Sequence, residues 1–186
     1  MKIILDAIAF ANEKHAGQVR RGSGDPYITH TLAVSYIVAA YKKSKKLPEL
    51  LVAAILHDIL EDTDTTFEEL VARFGPLVAS LVLELTNDEV QIKVLGKLAY
   101  QQNKVRGLSS YGLVLKLADR LHNVSDQPTL KMISDTEDLM ATLVRQRKLS
   151  KTHKALVAAI LKECQAQKDR ICGVTHSVMT QHLTQR

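Results

Sequence analysis

The sequence predicts an all-α fold, a single helical bundle of about eight to ten helices. Three observations predict it. Hydrophobic residues make up 46% of the 186 residues but aromatics only 4%, with no Trp, so Leu, Ala, Ile and Val fill the core, and Leu and Ala favour helix. Apolar residues recur at spacings of three and four along most of the chain, the period of a half-buried helix. Only Pro26, Pro48, Pro76 and Pro128 punctuate the chain, and no segment alternates convincingly as a strand.

The first helix is expected from about Ile3 to His15, with Ile4, Ala7, Ile8 and Ala11 on one face. A Gly- and Arg-rich loop follows from Gly17 to Tyr27. Thr29 is placed to cap the second helix, which carries Leu32, Val34, Ile37 and Val38 to about Tyr41. Lys42 to Lys46 reads as a solvated basic turn, and the third helix runs from near Pro48 to about Glu61. Thr66 and Glu69 have the spacing of a capping box. Pro76 suits the first turn of the helix after it, and Leu85 to Asp88 reads as a turn. One long helix is expected over Val90 to Val105, a loop over Gly107 to Ser110 and a buried helix over Tyr111 to Val124. Two more cover about Thr136 to Arg147 and Lys151 to Gln167, and the polar tail after about residue 172 is expected to be loosely ordered. No repeat or linker divides the chain, so residues 1–186 read as one domain.

The formal net charge of +5 suits an anionic partner, or simply a solvated basic surface. Cys164 and Cys172 lack metal-ligand spacing and read as reduced thiols of the cytoplasm. Asp6, Asn12 and Glu13 interrupt the first apolar run, unlike a signal peptide, and no stretch reaches the ~18 apolar residues of a membrane span.

The chemistry lies where polar residues interrupt apolar helices. In the segment Ala54 to Thr63, His57, Asp58, Glu61 and Asp62 close an apolar run, with His57 four residues from Glu61 and Asp58 four from Asp62. On a continuous helix all four would face one cavity. Buried carboxylates are costly unless paired or metal-bound. Asp119 interrupts a second core-like run, Val114 to Asn123, and His30 follows Pro26-Tyr27-Ile28-Thr29. Two imidazoles and two carboxylates form a mixed N/O set that suits Mn²⁺ or Fe²⁺ and tolerates Zn²⁺ or Mg²⁺.

The order His, His-Asp, Asp resembles the ligand pattern of the HD superfamily. The segments His15-Ala16-Gly17-Gln18, Gly24 to His30, His57 to Thr63 and Lys116 to Asn123 resemble the hydrolase domain of the RelA/SpoT homologues, and the chain's length resembles the stand-alone small alarmone hydrolases, the Mesh1-like class. The resemblance covers about two-thirds of the chain, from the first helix to Asn123. It implies an HD-type bundle that removes the 3′-pyrophosphate from (p)ppGpp with one divalent ion, usually Mn²⁺. His30, His57, Asp58 and Asp119 would hold the metal, Glu61 and Asp62 would orient or deprotonate the attacking water, and Arg20, Arg21, Lys97, Lys116 and Asn123 would contact substrate. His122 reads as a structural histidine. The partner is a small nucleotide rather than a nucleic acid or a membrane.

Two departures from the family matter. Thr31 stands where relatives commonly have Pro. No Phe, Tyr or Trp follows Tyr111, where relatives use a tyrosine to enclose the base. Base stacking then falls to Arg20 or to an aliphatic wall including residues such as Met140 or Leu143, and adenine alarmones, (pp)pApp, join the candidate substrates. Rival readings are an NADPH 2′-phosphatase or another HD nucleotide phosphohydrolase, and a non-catalytic alarmone sensor; the Glu61-Asp62 pair argues against the last.

Overall fold

The computed structural model describes the backbone of residues 1–183 and the side chains of residues 1–173. Among the described residues the chain forms helices α1 (Lys2–Lys14), α2 (Ile28–Tyr41), α3 (Leu47–Ile55), α4 (Ile59–Asp62), α5 (Phe67–Phe74), α6 (Pro76–Leu85), α7 (Glu89–Leu95), α8 (Lys97–Gly107), α9 (Ser110–Ser125), α10 (Leu130–Gln146) and α11 (Lys151–Leu183). The one β-type pairing among them is an isolated bridge between Val19 and Pro26. No helix of the described residues is long and apolar enough to cross a membrane.

Two of the expected helices are each broken in two. The expected Pro48–Glu61 helix stops after Ile55 and resumes at Ile59, so its i, i+4 spacing is not what gathers the polar residues. The expected Val90–Val105 helix breaks at Gly96, whose φ of +80° an L side chain rarely adopts. Two starts also differ. Tyr27 precedes α2 without a side-chain cap, and the Thr29 hydroxyl donates instead to the Pro26 carbonyl at 2.7 Å. Thr129 caps α10 from Met132 N–H, so that helix begins six residues before Thr136. Thr66 Oγ1 does accept from Glu69 N–H, but the Glu69 carboxylate turns to Arg73 at 3.0 Å rather than closing the box. Of the tail expected to be loose, the backbone up to Leu183 continues α11, and the rest, with the side chains from residue 174 on, lies outside the described residues.

α9 is the central element. It packs against α2, α3, α6, α10 and α11, and its Leu113, Val114, Leu115, Leu117 and Ala118 are buried to 1% exposure or less. Burying an aliphatic side chain of this size contributes about 1.5–3 kcal/mol, which makes this helix the fixed frame on which the other elements hang. Lys116, Asp119, His122 and Asn123 follow at spacings of three and four along it, one stripe of a helix. α2 and α3 pack closely on each other, and both reach α9. The core therefore brings the stripe of α9, the start of α2 and the break after α3 to one place.

Candidate metal and active site

The break at Leu56–Asp58 orients the first imidazole. His57 Nδ1 lies 2.8 Å from the Ala54 carbonyl. A carbonyl only accepts, so Nδ1 carries a proton and Nε2 is turned inward, where a bound cation would take its lone pair. There His57 Nε2 lies 3.3 Å from His30 Nε2, 2.9 Å from Asp58 Oδ2 and 3.7 Å from Asp119 Oδ1. His30 Nε2 is 3.6 Å from Asp58 Oδ2 and 3.5 Å from Asp119 Oδ1. His30 and His57 are each 1% exposed and Asp119 5%, and these three offer donor atoms within 4.8 Å of one another. Asp58 joins them through Oδ2, which also accepts from the Tyr27 hydroxyl at 2.5 Å.

These separations fit a cation. Donors about 2.1 Å from one ion, at tetrahedral or octahedral angles, fall roughly 3.0–3.4 Å apart, and the observed spread is 2.9–3.7 Å. Without a cation the cluster must keep its own charge. Burial alone would lower the His57 pKa, but the Asp58 and Asp119 carboxylates beside it push it up to about 10. Burial would raise Asp58, yet His57 and His30 hold it well below the usual carboxylate range. Asp119 is likewise held low against its burial, by Lys116 and then the two histidines.

The surrounding residues orient these donors. Lys116 Nζ sits 3.1 Å from Asp119 Oδ2, and Asn123 Nδ2 donates to Asp119 Oδ1. Asn123 Oδ1 accepts from Arg20 Nη2 at 2.9 Å, and Arg20 Nε donates to Asp126 Oδ2 at 3.0 Å. His30 Nδ1 faces His122 Nδ1 at 2.9 Å. Burial, with His30 and Arg20 nearby, lowers the His122 pKa to about 4, so His122 is neutral near neutral pH and accepts the His30 proton. Second contacts of this kind fix a ligating ring. His122 is thus a partner of a donor rather than a donor. It sits three residues after Asp119 on the same stripe, a signal available in the sequence.

Glu61 and Asp62 occupy the short α4, one turn past the cluster. Both residues are solvent-exposed overall, although their carboxyls lie against protein. Burial and the nearby Asp58 charge raise the Glu61 pKa against two hydrogen bonds from Asn87. Burial and Asp58 raise Asp62 in the same way. Asp62's backbone carbonyl accepts from Gln18 Nε2 at 2.8 Å, and Gln18 Oε1 pairs with His15 Nδ1 at 2.8 Å. His15 also lies against the Tyr27 ring at 4.9 Å between centroids.

The remaining expected substrate residues divide. Arg20 is at the site, but its guanidinium is engaged by Asp126 and Asn123 and lies over Tyr27 at 5.8 Å. Arg21 is exposed on the loop turn, and Lys116 is committed to Asp119. Lys97 is not in the cluster. It lines a cavity of about 760 Å³ between α8, α9 and α10, with Leu98, Gln101, Arg120, Met132 and Leu139. This cavity shares no lining residue with the donor cluster, so its volume does not locate the chemistry. Met140 and Leu143 do not form a base-facing wall: they are 1% and 0% exposed, inside the core. The aliphatic residues that line the Lys97 cavity are Leu95, Leu98, Ala99, Met132 and Leu139.

The family described as HD domain matches residues 7–148, a span that holds all four donors and the acidic pair. The chain belongs to the HD domain family. The HD domain is a metal-dependent hydrolase fold, in keeping with a divalent ion at the His30, His57 and Asp119 cluster. A guanosine-3′,5′-bis(diphosphate) 3′-pyrophosphohydrolase of Aquifex aeolicus is 36% identical over 158 residues, 77% of this chain but 21% of that protein. Against such long relatives this HD domain chain spans about a fifth of the length. The MESH1 enzyme of Danio rerio, named as a guanosine-3′,5′-bis(diphosphate) 3′-pyrophosphohydrolase, is 38% identical over 128 residues, 67% of this chain and 68% of that one. A solved metazoan orthologue of SpoT, described as hydrolysing ppGpp, superposes with a TM-score of 0.74 at 27% identity, covering 90% of this chain and 96% of that one. The same HD domain bundle is thus present in a relative of nearly the same extent.

Proposed function

We propose that this HD domain is a metal-dependent pyrophosphohydrolase that removes the 3′-pyrophosphate from guanosine-3′,5′-bis(diphosphate)-type alarmones in the cytoplasm. The observation that carries the reading is the buried set His30, His57 and Asp119 with the half-buried Asp58 beside it at cation spacing, and Glu61 and Asp62 on the adjacent turn. The names and extents of the relatives support it. Residues 1–186 are read as one HD unit, with α11 packed on α9 as its C-terminal part.

His30, His57, Asp58 and Asp119 would hold the ion, and their mixed N/O character favours Mn²⁺. When bound, a divalent ion supplies Lewis acidity and lowers the pKa of coordinated water. One of Glu61 and Asp62 takes the proton of the attacking water while the other orients it; their raised pKa values bring them closer to a base suited to neutral pH. The water oxygen bonds to the phosphorus on the ribose 3′ oxygen, the P–O3′ bond breaks, and O3′ takes up a proton as pyrophosphate leaves. Arg20, held by Asp126 and Asn123, presents a fixed cation to the phosphates, and Arg21 adds an exposed one from the loop. Lys97, outside the donor cluster, is read as a contact for more distant phosphates. Lys116 and Asn123 act through Asp119.

The test is an assay with added Mn²⁺ on ppGpp, pppGpp, ppApp, pppApp and NADPH, with products resolved by anion exchange. Pyrophosphate released from a guanosine alarmone is the expected result. Cleavage of adenosine alarmones as well would fit the lack of any aromatic residue after Tyr111 to enclose a base. Phosphate released from NADPH, with no alarmone cleaved, would overturn the alarmone reading and leave the metal site standing.

A further inference from the structure

We infer that Asn87, in the turn between α6 and α7, is a positioning residue for Glu61. The inference rests on the role proposed for Glu61 above. Both oxygens of the Glu61 carboxylate are occupied by this one residue. The Asn87 backbone N–H donates to Oε1 at 2.6 Å and its Nδ2 to Oε2 at 3.0 Å. A carboxylate on a four-residue helix has few other restraints, and this two-point grip fixes both its rotation and its reach.

The turn that grips Glu61 is itself anchored. The Tyr100 hydroxyl accepts from Asp88 N–H at 2.8 Å, and Lys104 Nζ donates to the Thr86 carbonyl and lies 3.2 Å from the Tyr100 hydroxyl. Tyr100 is 6% exposed. Thr86, Asn87 and Asp88 are thus held as one unit by two side chains of α8, neither of which contacts a donor of the metal cluster. The chain of contacts runs from α8 through the turn to Glu61, and it places a specific amide opposite a specific carboxylate.

Two measurements test this. The first is kinetic and uses whichever nucleotide the wild-type protein cleaves fastest. Asn87→Ala is expected to lower kcat about 10–100-fold, the usual effect of removing a hydrogen bond behind a functional group, with KM and bound metal unchanged. Asn87→Asp, which sets a carboxylate against a carboxylate, is expected to lose more. In a Glu61→Gln background, followed by single turnover at excess enzyme, Asn87→Ala is expected to add no further loss, because its effect passes through the Glu61 carboxylate. An equal further loss there, or a KM effect alone, would overturn the proposal. The second measurement needs no substrate. In ¹⁵N-labelled protein the Asn87 backbone amide proton is expected far downfield and to move upfield in Glu61→Gln; an unmoved resonance would overturn the contact itself. If no alarmone is cleaved while the resonance moves, the substrate reading fails and the positioning contact stands.

Discussion

Glu61 and Asp62 are neighbours in sequence, but different parts of the chain hold them. Glu61 is gripped through its carboxylate by Asn87, whereas Asp62 is held through its backbone by Gln18. Glu61→Gln and Asp62→Asn keep shape but turn one acceptor oxygen into an NH₂ donor and remove the base. Each is expected to lower kcat by at least about 100-fold with metal still bound, measured by steady-state kinetics beside metal analysis of the same sample. Full activity in both would remove the assigned role. The candidate donors were legible in sequence because a charged residue in an apolar run needs a reason to be there. Their partners were not. Tyr27 and Asn87 meet the site across separations of 31 and 26 residues, and nothing local marks them as partners, whereas His122 shares the α9 stripe with Asp119. Lys97 lines a cavity apart from the donor cluster, because a basic residue in a plausible helix carries no information about which side of α9 it will face.

At the scale of elements, the period of apolar residues located the helices, and two backbone breaks changed what they do. Gly96 was visible as a residue but not as a break, since glycine is tolerated inside helices at a cost of about 1 kcal/mol. The break at Leu56–Asp58 carries no Gly or Pro at all, and tertiary demand decides it. The packing of α11 on α9 offers a pH-dependent prediction. His153 Nε2 donates to the Ser110 carbonyl at 3.0 Å while Nδ1 accepts from Ser150 N–H at 3.3 Å. Only the neutral ring serves both, and burial lowers its pKa. Where the unfolded chain binds more protons than the folded one, stability rises with pH. The His153 contribution is therefore complete above pH ~6.5, the unfolded value, and is lost as pH falls through the lowered folded value. Thermal melts over this acid range are expected to show a smaller pH slope in His153→Gln than in wild type. Equal slopes would assign the dependence elsewhere.

At the scale of the whole molecule, the donors come from α2, the α3–α4 break and α9, so an ion would tie three separate parts of the core. A ligand bound only by the folded state stabilises it by about 4 kcal/mol at a thousandfold excess over Kd. Chelation is expected to lower Tm by several degrees, and His57→Ala is expected to remove the response to metal while keeping the helical spectrum. A His57→Ala protein whose Tm still rises with Mn²⁺ would place the ion somewhere else.

The interruption after Ile55 carries a further consequence. In an unbroken helix the Ala54 carbonyl would accept the Asp58 N–H; here the His57 ring has it. A substitution that let α3 run on through residues 56–58 would complete its backbone ladder and raise resistance to heat, yet it would free the imidazole to rotate and swing Asp58 off its bearing. Selection for thermal robustness and selection for turnover therefore pull in opposite directions on these three residues, and a library screened for heat resistance alone should accumulate inactive proteins there.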